Sequence, residues 1–365
     1  MSLSGQAPDY IRSIHPYQPG KPISELAREM GLDPARIVKL ASNENPLGMS
    51  QAARDAIAAT CCEVARYPDG NGFDLKAALS ARLGVAQGQI VLGNGSNDVL
   101  DMVARAFLGP GREAVFSQYA FAVYPLATQT VGATGIAVPA MDFGHDLAAM
   151  AGALGERTRV VFIANPNNPT GTFVPGDALL DFLERVPADV VVVLDEAYTE
   201  YLDEASRYDS IAWLERFPNL LVTRTFSKAY GLAGLRVGYG VGSPAVIDLM
   251  NRVRQPFNVG ILALAAATAA LGDEEFLTRS ASLNRRGMAQ LVTGVDRLGL
   301  SWIPSAGNFL TLRVGDAAAI NAGLLQRGVI VRPIGGYGMP EWLRVSVGLP
   351  EENEAFLTAL ADVVG

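Results

Sequence analysis

Residues 223–239 read TRTFSKAYGLAGLRVGY. The stretch continues a short apolar, β-like run at 220–223, so Lys228 falls in the loop after a candidate strand, just behind the hydroxyls of Thr225 and Ser227. Arg236 follows eight positions later, with glycines at 231, 234 and 238. A lysine amine can form a Schiff base with an aldehyde, and an arginine beside hydroxyls can hold a phosphate. A solvated lysine in a Ser/Gly-rich turn is the competing reading, and the rest of the chain has to decide between them.

Outward from this stretch the pattern alternates. Apolar runs at 90–92, 114–117, 134–138, 160–164, 190–194 and 220–223 are separated by helical windows at 97–107, 121–130, 147–154, 176–186 and 210–215. Short β-branched runs alternating with helices predict an α/β unit with a mainly parallel sheet covered on both faces. Ligands of such sheets gather at the carboxyl ends of the strands, which is where Lys228 lies. After Gly238 the pattern changes to helical segments at 245–253, 261–271 and 274–298, then short strands at 308–314 and 343–347 with helices at 317–326 and 352–363. These predict a smaller α+β unit. On the amino-terminal side, turn formers and aromatics at 9–20 precede a helix at 23–30 stopped by Gly31, the polar loop LASNENPLG at 40–48, a helix at 51–65 and the turn RYPDG at 66–70. The expected division is an arm over 1–45 packing with the small domain, a large domain over 46–262 and a small domain over 263–365.

Composition narrows the chemistry. The 365 residues allow one large and one smaller domain, and 49% hydrophobic against 18% charged residues fits a compact soluble chain. With 29 Lys and Arg against 37 Asp and Glu, the net charge of −8 argues against a general nucleic-acid or anionic-membrane surface, so an anionic ligand must be met by a few focused cations. Cys61 and Cys62 are adjacent and give neither a disulfide framework nor metal-ligand spacing. His15 and His145 stand apart, which leaves no metal site and no Ser-His-Asp triad, and directs the search to a cofactor. The start of the chain has no basic segment leading into an apolar core, and no uncharged apolar run of about 18 residues follows, so a cytoplasmic location is expected.

Other strand ends carry matching groups. The run VVVVL at 190–194 stops at Asp195, followed by EAYTEY; a carboxylate there is either a helix N-cap or a functional group. The loop ANPNNPTG at 164–171 supplies Asn168, its backbone constrained by Pro169 and Gly171. Asn168 and Tyr198 can both hydrogen-bond the hydroxyl oxygen of a pyridoxal ring, while Asp195 can keep the ring nitrogen protonated and the ring an electron sink. Between the run at 90–92 and the helix at 97–107, GNGSN brings Gly95, Ser96 and Asn97 to a helix N-terminus, where the dipole favours an anion. Neither a Walker loop nor a dinucleotide fingerprint is present, and the cup suits a monophosphate. Phe121, in YAFAVY, can lie flat on a pyridine ring or be a core phenylalanine. Arg332 and Arg344 sit in apolar β-like runs, either snorkelling from an edge or meeting a substrate anion.

LASNENPLG, RYPDG, GNGSND, ANPNNPTG, DEAYTEY, TFSKAYGLAGLRVGY and WLRVSVG occur in the order found in fold-type I pyridoxal-phosphate aminotransferases, and the resemblance spans nearly the whole chain. The HPYQPGKP arm and the LASNENPLG loop resemble, more closely, histidinol-phosphate aminotransferases. The resemblance implies a large domain with a mainly parallel seven-stranded sheet between helices, a smaller α+β C-terminal domain, and pyridoxal 5'-phosphate as cofactor. It gives Lys228 the Schiff base and the proton at substrate Cα, Asp195 the ring nitrogen, Asn168 and Tyr198 the hydroxyl, and Phe121 the ring face. Gly95, Ser96, Asn97, Thr225, Ser227 and Arg236 match the phosphate cup. Tyr67 matches a tyrosine donated to the neighbouring subunit's phosphate site, which implies a homodimer. Arg344, Arg332, Tyr17 and Asn43 fall to the substrate. Many members have P-T-[FY] before the stacking ring, where this chain reads Tyr119, Ala120, Phe121.

The implied reaction is a ping-pong exchange between histidinol phosphate with 2-oxoglutarate and imidazole-acetol phosphate with glutamate. An aromatic amino-acid aminotransferase on the same scaffold is the nearest alternative. A phosphothreonine decarboxylase, which needs no 2-oxo acid acceptor, is a further one. A DNA-binding regulator carrying the same fold is opposed by the acidic balance and by the lack of an N-terminal helix-turn-helix extension.

Overall fold

The computed structural model describes residues 3–16 and 20–364. Seven strands, β1 (Ile90–Gly93), β2 (Glu113–Ser117), β3 (Thr134–Val138), β4 (Thr158–Ala164), β5 (Val191–Asp195), β6 (Leu220–Thr225) and β7 (Gly238–Gly242), form one sheet. Their spatial order is β1-β7-β6-β5-β4-β2-β3. β2 to β6 pair in parallel, whereas β7 runs antiparallel to both β6 and β1.

β7 has no apolar run to announce it: GYGVG is glycine-rich, a composition that weakens strands. Packing requires it nonetheless. A Cβ on Gly238 would stand 2.5 Å from the backbone nitrogen of Ser96, so the helix Ser96–Phe107 can cross the strand closely only above glycine.

Apart from the edge strand β3, which is largely exposed, the remaining strands read as buried on both faces because each is. Ile90, Val115, Val161, Ile163, Val192 and Leu194 point into one core with the helices Gln51–Thr60, Phe73–Leu83 and Gly176–Leu183, while Val91, Phe116, Val160, Phe162 and Val193 point into the other with Ser96–Phe107. This is the two-residue period of strands, with apolar residues on both faces along the strands' central positions. Each fully buried Val, Leu or Phe contributes about 1.5–3 kcal/mol. The helix Phe73–Leu83 was not read from the sequence, and the window at 210–215 is only a 3-10 turn, Ala212–Glu215.

The smaller unit has an antiparallel sheet of β8 (Trp302–Ile303), β9 (Phe309–Arg313), β10 (Arg332–Pro333) and β11 (Trp342–Ser346) under the helices Glu274–Arg297, Ala317–Gln326 and Pro350–Val364. The division expected at 263 falls inside the helix Ile261–Leu271, whose Ala263, Ala266, Ala267 and Ala270 are buried in the large sheet's core.

The arm is likewise split. The helix Ile23–Met30 ends on Gly31 and buries Leu26 against Ile330, and Val38–Lys39 pairs with Val329–Ile330 of the small unit. The segment Asp9–Arg12 instead lies on the large unit, where Gln129 Nε2 donates to the carbonyl of Tyr10 at 3.0 Å. Among the described residues no helix is long and apolar enough to cross a membrane.

Candidate active site

Asp195 closes β5, Asn168 follows β4, Lys228 follows β6, and Ser96 and Asn97 open the helix after β1, so the carboxyl ends of four strands converge. With Phe121, Tyr198, Thr225, Ser227, Arg236, Asn43, Arg332 and Arg344 these residues line one cavity, together with backbone from Ala41 and Ser42. The substrate candidate Tyr17 lies outside the described residues.

At the inner wall Asp195 is not an N-cap, since the next element is the turn Thr199–Tyr201, whose N-cap is Tyr198. Its carboxylate accepts from the hydroxyl of Tyr124 at 2.8 Å on Oδ2 and from Thr223 at 3.0 Å on Oδ1. Burial pushes its pKa up to about 6, and the two hydroxyl donors oppose that shift. Thr223 is its direct cross-strand neighbour in the β5–β6 register. Neither Tyr124 nor Thr223 was singled out in the sequence. The register could have found Thr223; for Tyr124 the only signal was its place in the aromatic stretch YAFAVY.

The amide of Asn168 is oriented by Arg344, whose Nη1 donates to Asn168 Oδ1 at 2.6 Å, so the amide NH2 is the end left for a ligand oxygen. The Asn168–Pro169 peptide is cis. Tyr198 accepts from Asn43 Nδ2 at 2.9 Å, which leaves its O–H proton to donate. Asn168 and Tyr198 thus offer two donors to a ring hydroxyl oxygen. Burial holds the Tyr198 phenol at about 12, so it stays protonated in that role.

Lys228 Nζ donates to the carbonyl of Ser42 at 3.1 Å. Burial first, then the neighbouring guanidinium of Arg344, brings its pKa down to about 7. A neutral amine is the nucleophile that attacks an aldehyde, so the association rate of pyridoxal phosphate with the cofactor-free protein should rise as pH passes through about 7 and flatten above pH 8. Stopped-flow absorbance at several pH values measures this. A rate still climbing tenfold per unit between pH 8 and 10 would mean the amine keeps an ordinary lysine pKa of about 10.4.

The anion cup is built around Gly95, at φ +81°, where a Cβ would stand 2.3 Å from Arg236 Nη2. Only glycine lets the guanidinium cross the N-terminus of the helix Ser96–Phe107, so Gly95 shapes the cup without itself lining the cavity. Arg236 Nη1 donates to Ser227 Oγ at 3.3 Å, and the Ser227 N–H donates to Thr225 Oγ1 at 3.1 Å. A neutral-able lysine, a buried carboxylate, two donors and a cation at a helix N-terminus fit pyridoxal phosphate group by group.

Phe121 was expected on the helix at 121–130. That helix begins at Val123, and Phe121 sits in the turn before it, half-buried and edge-on to Tyr124 with ring centres 5.8 Å apart. Tyr67 does not line this cavity; it is 81% exposed and stacks on Phe257 at 4.7 Å. Arg344, 7% exposed, also donates through Nη2 to the carbonyl of Ala41 at 2.9 Å, and Arg332 lies directly opposite it in the β10–β11 register.

The family model described as aminotransferase class I and II matches residues 35–360. Histidinol-phosphate aminotransferase 1 of Cupriavidus pinatubonensis is 64% identical over 357 residues, which cover 97% of this chain and 95% of that relative. Histidinol-phosphate aminotransferase 1 of Thiobacillus denitrificans is 66% identical over 358 residues, 98% of this chain and 93% of the relative. Among solved structures, histidinol-phosphate aminotransferase from Sinorhizobium meliloti in complex with pyridoxal-5'-phosphate matches with a TM-score of 0.91 at 28% identity, covering 98% of this chain and 97% of that one.

Proposed function

The chain belongs to the class I and II aminotransferases, and from that premise we propose that it exchanges the amino group between histidinol phosphate and 2-oxoglutarate, giving imidazole-acetol phosphate and glutamate. It is a pyridoxal-phosphate enzyme, and in the synthetic direction its reaction is a step of histidine biosynthesis. The observation that carries the reading is the convergence of Lys228, Asp195 and the Arg236 cup in one cavity that also holds Arg332 and Arg344. Comparing turnover of imidazole-acetol phosphate with that of phenylpyruvate tests it. Preference for phenylpyruvate would move the assignment to an aromatic aminotransferase.

When bound, pyridoxal phosphate supplies a protonated ring that takes up the electron pair released at substrate Cα. The protein's part is assigned as follows. Lys228, neutral above about pH 7, removes the Cα proton and returns one on the reverse course. Asp195 holds the proton on the ring nitrogen. Asn168 and Tyr198 donate to the ring hydroxyl oxygen, and Phe121 covers one face of the ring. Ser96, Asn97, Thr225, Ser227 and Arg236 hold the phosphate and so fix the ring's place relative to Lys228.

Both substrates are anionic but differ in shape. Arg344 serves the glutamate carboxylate and, with Arg332 and Tyr17, the phosphate of histidinol phosphate; Asn43 positions Tyr198 beside them. Arg332→Ala should therefore lower kcat/KM for histidinol phosphate by about 10²-fold, the scale of a charge-assisted contact, and for glutamate by much less. Equal losses with the two substrates would remove Arg332 from phosphate recognition.

A homodimer belongs to the same reading. Tyr67 is exposed beside Phe257 and does not line its own chain's cavity, which supports assigning it to the phosphate cup of a second copy. Sedimentation of a monomer at micromolar concentration would exclude this, and recovery from a membrane or secreted fraction would overturn the cytoplasmic location that completes it.

A further inference from the structure

We propose that Tyr124, with Thr223, is a positioning residue for the cofactor's ring nitrogen, acting through Asp195. The proposal rests on the reading that this cavity holds pyridoxal phosphate. It starts from the buried side of the carboxylate, which that reading leaves unexplained. Asp195 Oδ2 accepts from Tyr124 at 2.8 Å and Oδ1 from Thr223 at 3.0 Å, so each oxygen has a hydroxyl donor. The donors come from two elements, the helix Val123–Thr130 and β6, and between them they fix the carboxylate plane.

Neither hydroxyl is placed there by a need for solvent, since Tyr124 and Thr223 are both 0% exposed. The Tyr124 ring is itself clamped, stacked on Phe162 with centres 4.8 Å apart and planes 6° apart. Its other neighbour is Phe121, met edge-on at 88°. One side chain therefore touches both the carboxylate meant for the ring nitrogen and the aromatic meant for the ring face. A buried carboxylate without such donors gains proton affinity and would compete for the ring proton that it has to share. Two hydroxyl donors hold it as the anion, which keeps that proton on the cofactor.

A tyrosine that merely fills the core makes the same ring contacts and predicts no dependence on its hydroxyl. Tyr124→Phe keeps the ring, and Thr223→Val keeps the shape at the other oxygen. The cofactor-free wild type and each variant are titrated with pyridoxal phosphate, and with an analogue whose ring nitrogen is replaced by C–H, following tryptophan fluorescence. The expected result is about 10-fold weaker binding of pyridoxal phosphate to each variant, the scale of a hydrogen bond to a charged group. The analogue, which has no ring nitrogen to read, should bind wild type and variants alike, within about twofold on the same scale. Weakening that is equal for both ligands would make the role structural and overturn the proposal. So would unchanged affinity for pyridoxal phosphate, or a wild type that binds the two ligands equally well. Should Tyr124→Phe not fold, Thr223→Val carries the same pattern by itself. A wild type that takes up neither ligand would be a different failure, that of the cofactor reading.

Discussion

Lys228→Ala is expected to abolish transamination, with kcat reduced by at least about 10⁴-fold, because on the proposed reading the proton at substrate Cα loses its base and the cofactor its covalent anchor. The visible absorbance of lysine-bound cofactor disappears with it. The fold persists, since the lysine is buried at a cost: its amine sits out of water next to Arg344, and its hydrogen-bond partner in the protein is the Ser42 carbonyl. The melting temperature of the cofactor-free variant should therefore not fall below that of the cofactor-free wild type. Turnover within tenfold of wild type would refute the assignment of Lys228, and a variant that is unfolded would show that the lysine holds structure instead.

Asp195→Ala is expected to have the second-largest effect. The expected loss is electrostatic: a fixed negative charge proposed to pair with the ring nitrogen is removed from a water-poor wall, and such preorganised groups are worth about 10²–10³-fold in kcat. Its two hydroxyl partners, Tyr124 and Thr223, are left buried without an acceptor, so the variant should also lose about 1–3 kcal/mol of stability. Asp195→Asn keeps a partner for both hydroxyls, its Oδ1 accepting from one and its Nδ2 donating to the other, and so separates the two effects, recovering most of the stability and little of the rate. Rates within about threefold of wild type in both variants would remove Asp195 from the chemistry.

The strands with continuous β-branched runs were legible because both of their faces are buried, so no polar residue interrupts them; β5, VVVLD, is the plainest. β7 was not legible. Its glycines answer to the helix Ser96–Phe107 crossing above, a tertiary demand that overrides strand propensity. Which core the helix at 261–271 enters was not legible for a related reason. The alanine-rich helix Ile261–Leu271 is apolar all round, and nothing along the chain says which core receives it. At the site, Lys228, Asp195, Asn168 and Arg236 could be named because each belongs to a strand-end motif whose residue types suit one chemistry. Tyr124 could not, since a tyrosine three residues after Phe121 in an aromatic stretch reads as core, and its ring does pack on Phe162.

Sequence by itself determined the kind of sheet, the loops that meet at its carboxyl edge and the chemical groups those loops carry, because hydrophobic period and side-chain type are local properties. Tertiary structure decided how those groups are set for use. Burial and the guanidinium of Arg344 bring the Lys228 amine to about pH 7. Hydrogen bonds from Arg344 and Asn43 leave Asn168 and Tyr198 as donors, and hydroxyls from two separate elements each donate to one oxygen of Asp195, opposing the rise that burial gives its pKa. Desolvation and hydrogen-bond direction depend on neighbours far apart in the chain, and only the packed fold brings those neighbours together.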